Sequence, residues 1–327
     1  MLPSFAYARP QTVSEAVEQL LEEKGRPLAG GTDLLGCLRA GVFAAPTLVS
    51  LRALSSLVGI EETADGGLRI GALTTVAEVA ASEAVRTRHA VLAEAAASVA
   101  SPQLRNQGTL GGNLCQKPRC WYYRGEFHCL RKGGEVCHAA SGENSRHCIF
   151  GGEPCYIVHP SDTAPALGAL GARLRIVGPG GTRDVPLEGF HVLPRVDVER
   201  ETILEPGELL TEVRLPAPAA GLRSTYRKVR ARASWDFAIV GAAIALRLDG
   251  DLVREARVFL SGVAPVPWRA LGVERALEGR RLDAVTIDRA AEAAVDGAQP
   301  LEQNAYKIPL LRGLLQERLA SLAPGSA

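Results

Sequence analysis

Six of the seven cysteines, Cys115, Cys120, Cys129, Cys137, Cys148 and Cys155, fall within residues 106–163. Thiolates at that density can hold a metal centre or carry redox chemistry. The same stretch opens on a glycine-rich turn, Gly108-Thr109-Leu110-Gly111-Gly112-Asn113, and closes on His159-Pro160-Ser161-Asp162. Glycines let a backbone come close to a flat or anionic ligand. The pattern therefore suggests one redox cofactor on the turns and a second in the cysteine loop between them.

The cysteine intervals from Cys120 onward are nine, eight, eleven and seven residues, with no CxxC pair. Zinc ribbons and fingers usually present their ligands as close pairs, and both ferredoxin-type spacings are also absent. Wide spacing is compatible with a four-thiolate iron–sulfur centre if a folded loop gathers the ligands. Zinc, or cysteines with no metal, stay open at this point. Arg119, Arg124, Arg131 and Lys132 lie among the cysteines, where cations would stabilise an anionic cluster or simply be solvated. His128, His138, His147 and His159 are also nearby.

A second glycine pair occurs in Leu28-Ala29-Gly30-Gly31-Thr32-Asp33-Leu34-Leu35, before an expected helix to about residue 40. Free N–H groups before a helix can bind phosphate; a tight strand–helix turn without ligand is the plainer alternative.

The elements that must position these turns are mixed. Apolar periodicity predicts helices over 11–24, 87–100, 164–170, 268–278, 284–297 and 304–321. A helix from Thr74 or Thr75 should carry Glu78 near its third position. Strands are expected at 46–52, 68–72, 173–177, 183–187, 209–215, 225–229, 237–247 and 252–262. Asp249-Gly250 marks a hairpin between the last two, and 216–221 reads as a linker. No GxGxxG follows a strand, so a nicotinamide-type βαβ site is not supported. Residues 114–156 read as a long functional excursion.

Composition narrows the class. With 46% hydrophobic and 22% charged residues and a net charge of +1, the 327 residues suit a soluble globular protein of two or three domains. No basic field favours nucleic acid or an anionic membrane. No stretch of about 18 apolar residues suggests a spanning helix. No export signal is visible, so a cytoplasmic site is expected, with periplasmic export only beside a signal-bearing partner. In a reducing compartment, clustered cysteines more often bind metal than pair as disulfides.

The segments AGGTDLL at 29–35, IGALTT at 70–75, NQGTLGGNL at 106–114, HPSD at 159–162, GELLTEVRLP at 207–216 and YRKV at 226–229 occur in one order. Together they resemble the FAD-binding medium subunits of the molybdenum hydroxylases, the xanthine dehydrogenase and carbon monoxide dehydrogenase family. RCWYYR, HCLRKGG, VCHAA and PCYIVHPSD resemble the extra [4Fe–4S] loop of the aldehyde oxidoreductase and 4-hydroxybenzoyl-CoA reductase subgroup.

That resemblance implies an α+β protein with the vanillyl-alcohol-oxidase-type FAD-binding fold. Its parts would be a first subdomain over 1–55, a second over 56–217 carrying the loop 114–156, and a C-terminal α+β domain over 220–327. Leu28 to Leu35 would wrap the FAD pyrophosphate, Thr109, Gly112 and Asn113 would form the second flavin turn, and Ser161 and Asp162 would bind hydroxyls. Leu210 would pack on the cofactor, and Lys228 would face the pyrimidine edge of the flavin. Cys120, Cys129, Cys137 and Cys155 would be the cluster ligands; Cys148 is left out, and Cys37 and Cys115 are expected to be small buried residues.

The implied job is electron transfer inside a heteromeric, aldehyde-oxidising molybdenum enzyme, with FAD and [4Fe–4S] here. The molybdopterin would sit on a large subunit and the [2Fe–2S] centres on a small one, with a ferredoxin as a possible outside partner. The subunit of a 4-hydroxybenzoyl-CoA reductase and a self-sufficient flavoprotein oxidase are the alternatives.

Overall fold

The structure is a computed structural model that describes residues 1–22 and 24–325. Glu23, inside the helix expected over 11–24, and residues 326–327 lie outside the described residues. Three sheets carry the architecture.

The first is a small parallel sheet of β1 (Ala6–Ala8), β2 (Arg26–Leu28) and β3 (Thr47–Ser50), in the order β1-β3-β2. Its crossovers contain α1 (Val13–Glu22) and α2 (Leu34–Arg39). Ala16, Val17 and Leu20 face inward from α1, the stripe the sequence spacing predicts.

The second sheet is antiparallel, in the order β4-β5-β8-β6-β7. Its strands are β4 (Ile60–Glu62), β5 (Leu68–Gly71), β6 (Arg173–Gly178), β7 (Gly181–Pro186) and β8 (Leu209–Leu215). A helical layer covers it: α3 (Val76–Ala81), α4 (Glu83–Arg88), α5 (Ala90–Ser98), α6 (Pro102–Gln107) and α7 (Leu110–Leu114) precede the cysteine loop, and α9 (Thr163–Ala169) follows it. Within the loop only α8 (Trp121–Arg124) and a single 3-10 turn are regular. Thr75 and Glu78 form a full capping box, with Glu78 N–H donating to Thr75 Oγ1 at 3.1 Å and Thr75 N–H to Glu78 Oε2 at 2.8 Å. The helix expected over 87–100 is two helices, because His89 leaves helical geometry with ψ 54°.

The third sheet runs β12-β11-β10-β9, with β9 (Leu222–Val229), β10 (Val240–Asp249), β11 (Leu252–Ser261) and β12 (Trp268–Arg269). Strands β10 and β11 form the expected hairpin, turning at Gly250 with φ +61°. Both faces of β10 are buried. Ala243 and Ala245 join the core of the second sheet, while Ala242, Ile244 and Leu246 join the core under α10 (Leu271–Leu277), α11 (Ala284–Ala293) and α12 (Lys307–Leu322). A strand covered on both sides needs the unbroken apolar run found here. Leu311, Leu314, Leu315, Leu319 and Leu322 bury one face of α12, each contributing about 1.5–3 kcal/mol by transfer from water.

The cysteine loop is packed into the body at both ends. Ile149 and Phe150 enter the core of the third sheet, and Tyr123 and Cys129 pack with Cys37 and Val42 of the first unit. Lys307, fully buried, donates from Nζ to the carbonyls of Arg146, His147 and Gly262.

Candidate functional site: a flavin cleft beside a cysteine cavity

The two glycine turns meet backbone to backbone. A Cβ on Gly30 would overlap the carbonyl of Gln107, so only glycine lets the 29–34 segment lie against the end of α6. Gly31 adds a left-handed turn at φ +72°. The second turn is sewn to residues 72–76 by Gly111 N–H to Ala72 O at 2.8 Å, Leu110 N–H to Thr74 O at 2.9 Å and Val76 N–H to Gly108 O at 2.9 Å. Thr109 Oγ1 accepts from Gly112 N–H at 3.1 Å and starts the one-turn helix α7.

Between these turns opens a cleft of about 1470 Å³, large enough for a dinucleotide-sized cofactor. Ala29, Gly30, Gly31, Thr32, Asp33, Leu34, Thr109, Gly112, Asn113, Asp162 and Leu210 line it. The N–H groups of Gly30, Gly31, Thr32 and Asp33 have no acceptor among the described residues. Four such donors in a row are what a phosphate needs.

Leu28 and Leu35 are not cleft residues; they support the turn from the core around Leu38 and Leu48. Ser161 and Lys228 also sit behind the wall. Ser161 Oγ donates to Asn113 Oδ1 at 2.6 Å and caps α9 by accepting from Ala164 N–H at 3.0 Å. Lys228 Nζ lies 2.6 Å from Asp162 Oδ2 and 3.0 Å from Asp236 O, while Tyr226 donates to Asp162 Oδ1 at 2.7 Å.

A second cavity lies in the cysteine loop. Cys120, Cys129, Cys137 and Cys155 all face it; Cys148 does not. Cys148 is buried, and its amide donates to Tyr156 O at 3.1 Å. No disulfide forms among the cysteines. Backbone N–H groups point at three of the four sulfurs: those of Tyr122 and Tyr123 at Cys120, those of Ala139, Ala140 and Tyr156 at Cys137, and that of Ile157 at Cys155. Such donors stabilise thiolate ligands. Burial pushes the Cys120 thiol up to about 11, whereas the Cys155 thiol and surrounding amides hold Cys137 below its ordinary value. His147 Nε2 is 3.3 Å from Cys120 Sγ.

Arg131 also lines this cavity with its side chain 1% exposed, and its Nε and one terminal nitrogen have no partner among the described residues. Two unbonded guanidinium nitrogens beside four thiols fit an anionic group between them, although the third nitrogen is paired with Glu201 at 2.6 Å. No three of the His, Cys, Asp and Glu side chains among the described residues stand close enough to hold one metal ion.

The sequence comparison decides the family. Residues 3–218 match the FAD binding domain in molybdopterin dehydrogenase, and residues 224–322 match the CO dehydrogenase flavoprotein C-terminal domain. This chain belongs to the FAD-binding medium subunits of the molybdenum hydroxylase family.

Among the relatives of this medium subunit is the aldehyde oxidoreductase FAD-binding subunit PaoB of Escherichia coli, 37% identical, with 98% of each chain covered. The carbon monoxide dehydrogenase medium chain of Hydrogenophaga pseudoflava is 31% identical over 92% of this chain and 89% of its own. The reconstituted CO dehydrogenase from Oligotropha carboxidovorans superposes with a TM-score of 0.79 at 27% identity, with both chains fully covered.

Several walls of the medium subunit's cleft were not visible in its sequence. Lys117, Glu201, Trp235 and Phe237 all line it. Cys115 also lines the cleft and is only half-buried, unlike the fully buried Cys37. The loop after β9 is organised by Asp236 Oδ2, which accepts from the amides of Ala231 and Arg232. Phe237 lies under the Arg119 guanidinium at 5.0 Å. Asp33, the residue just before α2, accepts from Lys117 N–H at 2.8 Å and lies 2.7 Å from Arg124 and 3.0 Å from Arg119. A lone Asp after two glycines gives no sign of partners 84 to 91 positions away.

Proposed function

We propose that this chain is the FAD- and [4Fe–4S]-carrying electron-transfer subunit of a heteromeric molybdenum-dependent aldehyde oxidoreductase. The observation that carries the cluster is the convergence of Cys120, Cys129, Cys137 and Cys155 on one cavity, with two unbonded nitrogens of the Arg131 guanidinium in its wall. The aldehyde assignment is supported by 37% identity to the aldehyde oxidoreductase subunit over nearly the whole length.

The residues have distinct roles in this reading. Gly30 to Asp33 would hold the FAD pyrophosphate through backbone N–H groups, and Leu28, Ala29, Leu34 and Leu35 would shape that turn. Thr109, Gly112 and Asn113 would form the second flavin turn, with Leu210 packing on the cofactor. Asp162 would accept from a cofactor hydroxyl, fixed in place by Tyr226 and Lys228; Ser161 orients Asn113. FAD supplies a centre that can exchange electrons singly or in pairs. The four cysteines would hold the cluster, and Arg131 would offset its negative charge. A molybdopterin-binding large subunit and a [2Fe–2S] small subunit would complete the complex, with a ferredoxin as one candidate outside partner.

The test is anaerobic purification of the chain with whatever co-purifies, followed by flavin, iron and sulfide analysis. About four iron and four acid-labile sulfide per chain are expected, falling in Cys155→Ala. A yellow, iron-free protein after reconstitution would remove the cluster from the reading; one zinc per chain would replace it with a structural site.

A further inference from the structure

One carboxylate joins the two cavities. Glu201 Oε1 accepts from an Arg131 terminal nitrogen at 2.6 Å, and Oε2 accepts from Lys117 Nζ. Arg131 lines the cysteine cavity, whereas Lys117 and Glu201 line the flavin cleft. Side-chain exposure rises from 1% at Arg131 through 9% at Glu201 to 23% at Lys117. The chain is therefore most shielded from water on the cysteine side, where charges act over longer distances than in solvent.

Glu201 is held in place independently of these cations. Its carbonyl accepts from Val192 N–H at 3.0 Å, and the neighbouring Thr202 pairs with His191. Arg131 is further fixed by donating from the same terminal nitrogen to Arg200 O at 3.0 Å, which leaves its other two nitrogens unbonded among the described residues. A second network, Asp33 with Arg119 and Arg124, meets this one at the Lys117 backbone, whose N–H donates to Asp33 Oδ2 at 2.8 Å and whose carbonyl accepts from Arg124 at 3.1 Å.

We propose that Arg131–Glu201–Lys117 is an electrostatic bridge that ties the reduction potential of the group in the cysteine cavity to that of the flavin in the cleft. The inference rests on the cluster assignment made above. Reduction adds negative charge on either side, and the Glu201 carboxylate opposes it at both while tempering the cation that favours it. Removing that one negative charge favours the reduced form of both centres, and removing the Lys117 charge disfavours both.

The test is a potentiometric titration of the anaerobically purified protein with its co-purifying subunits. Flavin absorbance and the electron paramagnetic resonance signal of the reduced cluster are followed in the same samples. Glu201→Gln is expected to raise both midpoints, Lys117→Gln to lower both, and Glu201→Asp, which keeps the charge, to leave both near wild type. If Glu201→Gln does not fold, Lys117→Gln carries the test alone, since that side chain is partly solvated. Wild-type protein holding both centres, with substitutions that move one midpoint and leave the other, overturns the bridge and spares the cluster assignment. Wild-type protein with flavin and no iron overturns both.

Discussion

Lys228 Nζ lies 2.6 Å from Asp162 Oδ2, with the two side chains only 2% and 5% exposed. The pair ties β9 of the third sheet to the start of α9 behind the flavin cleft, and Lys228 also holds the loop after β9 through Asp236 O. Lys228→Met leaves the Asp162 carboxylate buried with only the Tyr226 hydroxyl. A loss of about 3–5 kcal/mol in denaturant unfolding is expected, together with lower FAD occupancy. The double variant Asp162→Asn/Lys228→Met should recover most of the stability, because no unpaired charge remains.

Gly30 and Gly36 separate close approach from helix propensity. Gly30→Ala forces the 29–34 turn off Gln107 and should yield protein with little bound flavin by absorbance. Gly36, inside α2, has open space where a Cβ would go. Gly36→Ala should keep full flavin content and gain about 0.5–1 kcal/mol. Equal flavin loss in both would show that the contact with Gln107 is not what matters.

The cysteine cavity divides the thiols into two groups. Cys120→Ala, Cys129→Ala, Cys137→Ala and Cys155→Ala should each lower iron per chain. Cys148→Ala should retain it, because Cys148 does not line the cavity. Iron and sulfide analysis with matched flavin counts distinguishes lost cluster from lost fold.

Acid should destabilise the protein before its carboxylates titrate. Burial pushes His191 down to about 4 from an ordinary 6.5, and its neighbour His159, with ring centroids 4.2 Å apart and planes tilted by 59°, is lowered by burial as well. The folded state then binds fewer protons than the unfolded chain between pH 4 and 6.5. Stability rises with pH through that window and is lost as pH falls through it. For His191 alone the swing is about 3 kcal/mol. Thermal melts across that range should show it, and His191→Gln should flatten part of the slope while surrendering the bond to Leu114 O.

Lys307 anchors the far end of the cysteine loop to α12. Lys307→Met takes the donor from the carbonyls of Arg146 and Gly262 and leaves His147 O with Asn304 alone, at a cost of about 2 kcal/mol. Limited proteolysis should then cut within residues 130–148 sooner than in wild type. An unchanged cleavage rate would place the anchor elsewhere, with Asn304, which donates to the carbonyls of His147 and Cys148, as the next candidate.

Local rules settled much of this chain. Apolar periodicity marked α1, α11 and α12, the Thr75–Glu78 capping box marked the start of α3, and Asp249-Gly250 marked the β10–β11 hairpin, because each depends on neighbours a few residues apart. The ordered motifs named two glycine turns that line one cleft, and residue matching named four cysteines that line a second cavity. Tertiary structure alone decided what those residues touch. It set Gly30 on Gln107, drew Arg119 and Arg124 from the cysteine loop onto Asp33, placed Lys228 on Asp162 rather than in the cleft wall, and made Glu201 a neighbour of both cavities. Sequence spacing carries no record of such pairings, because a charge finds its partner through the packing of separate sheets and not through its position along the chain.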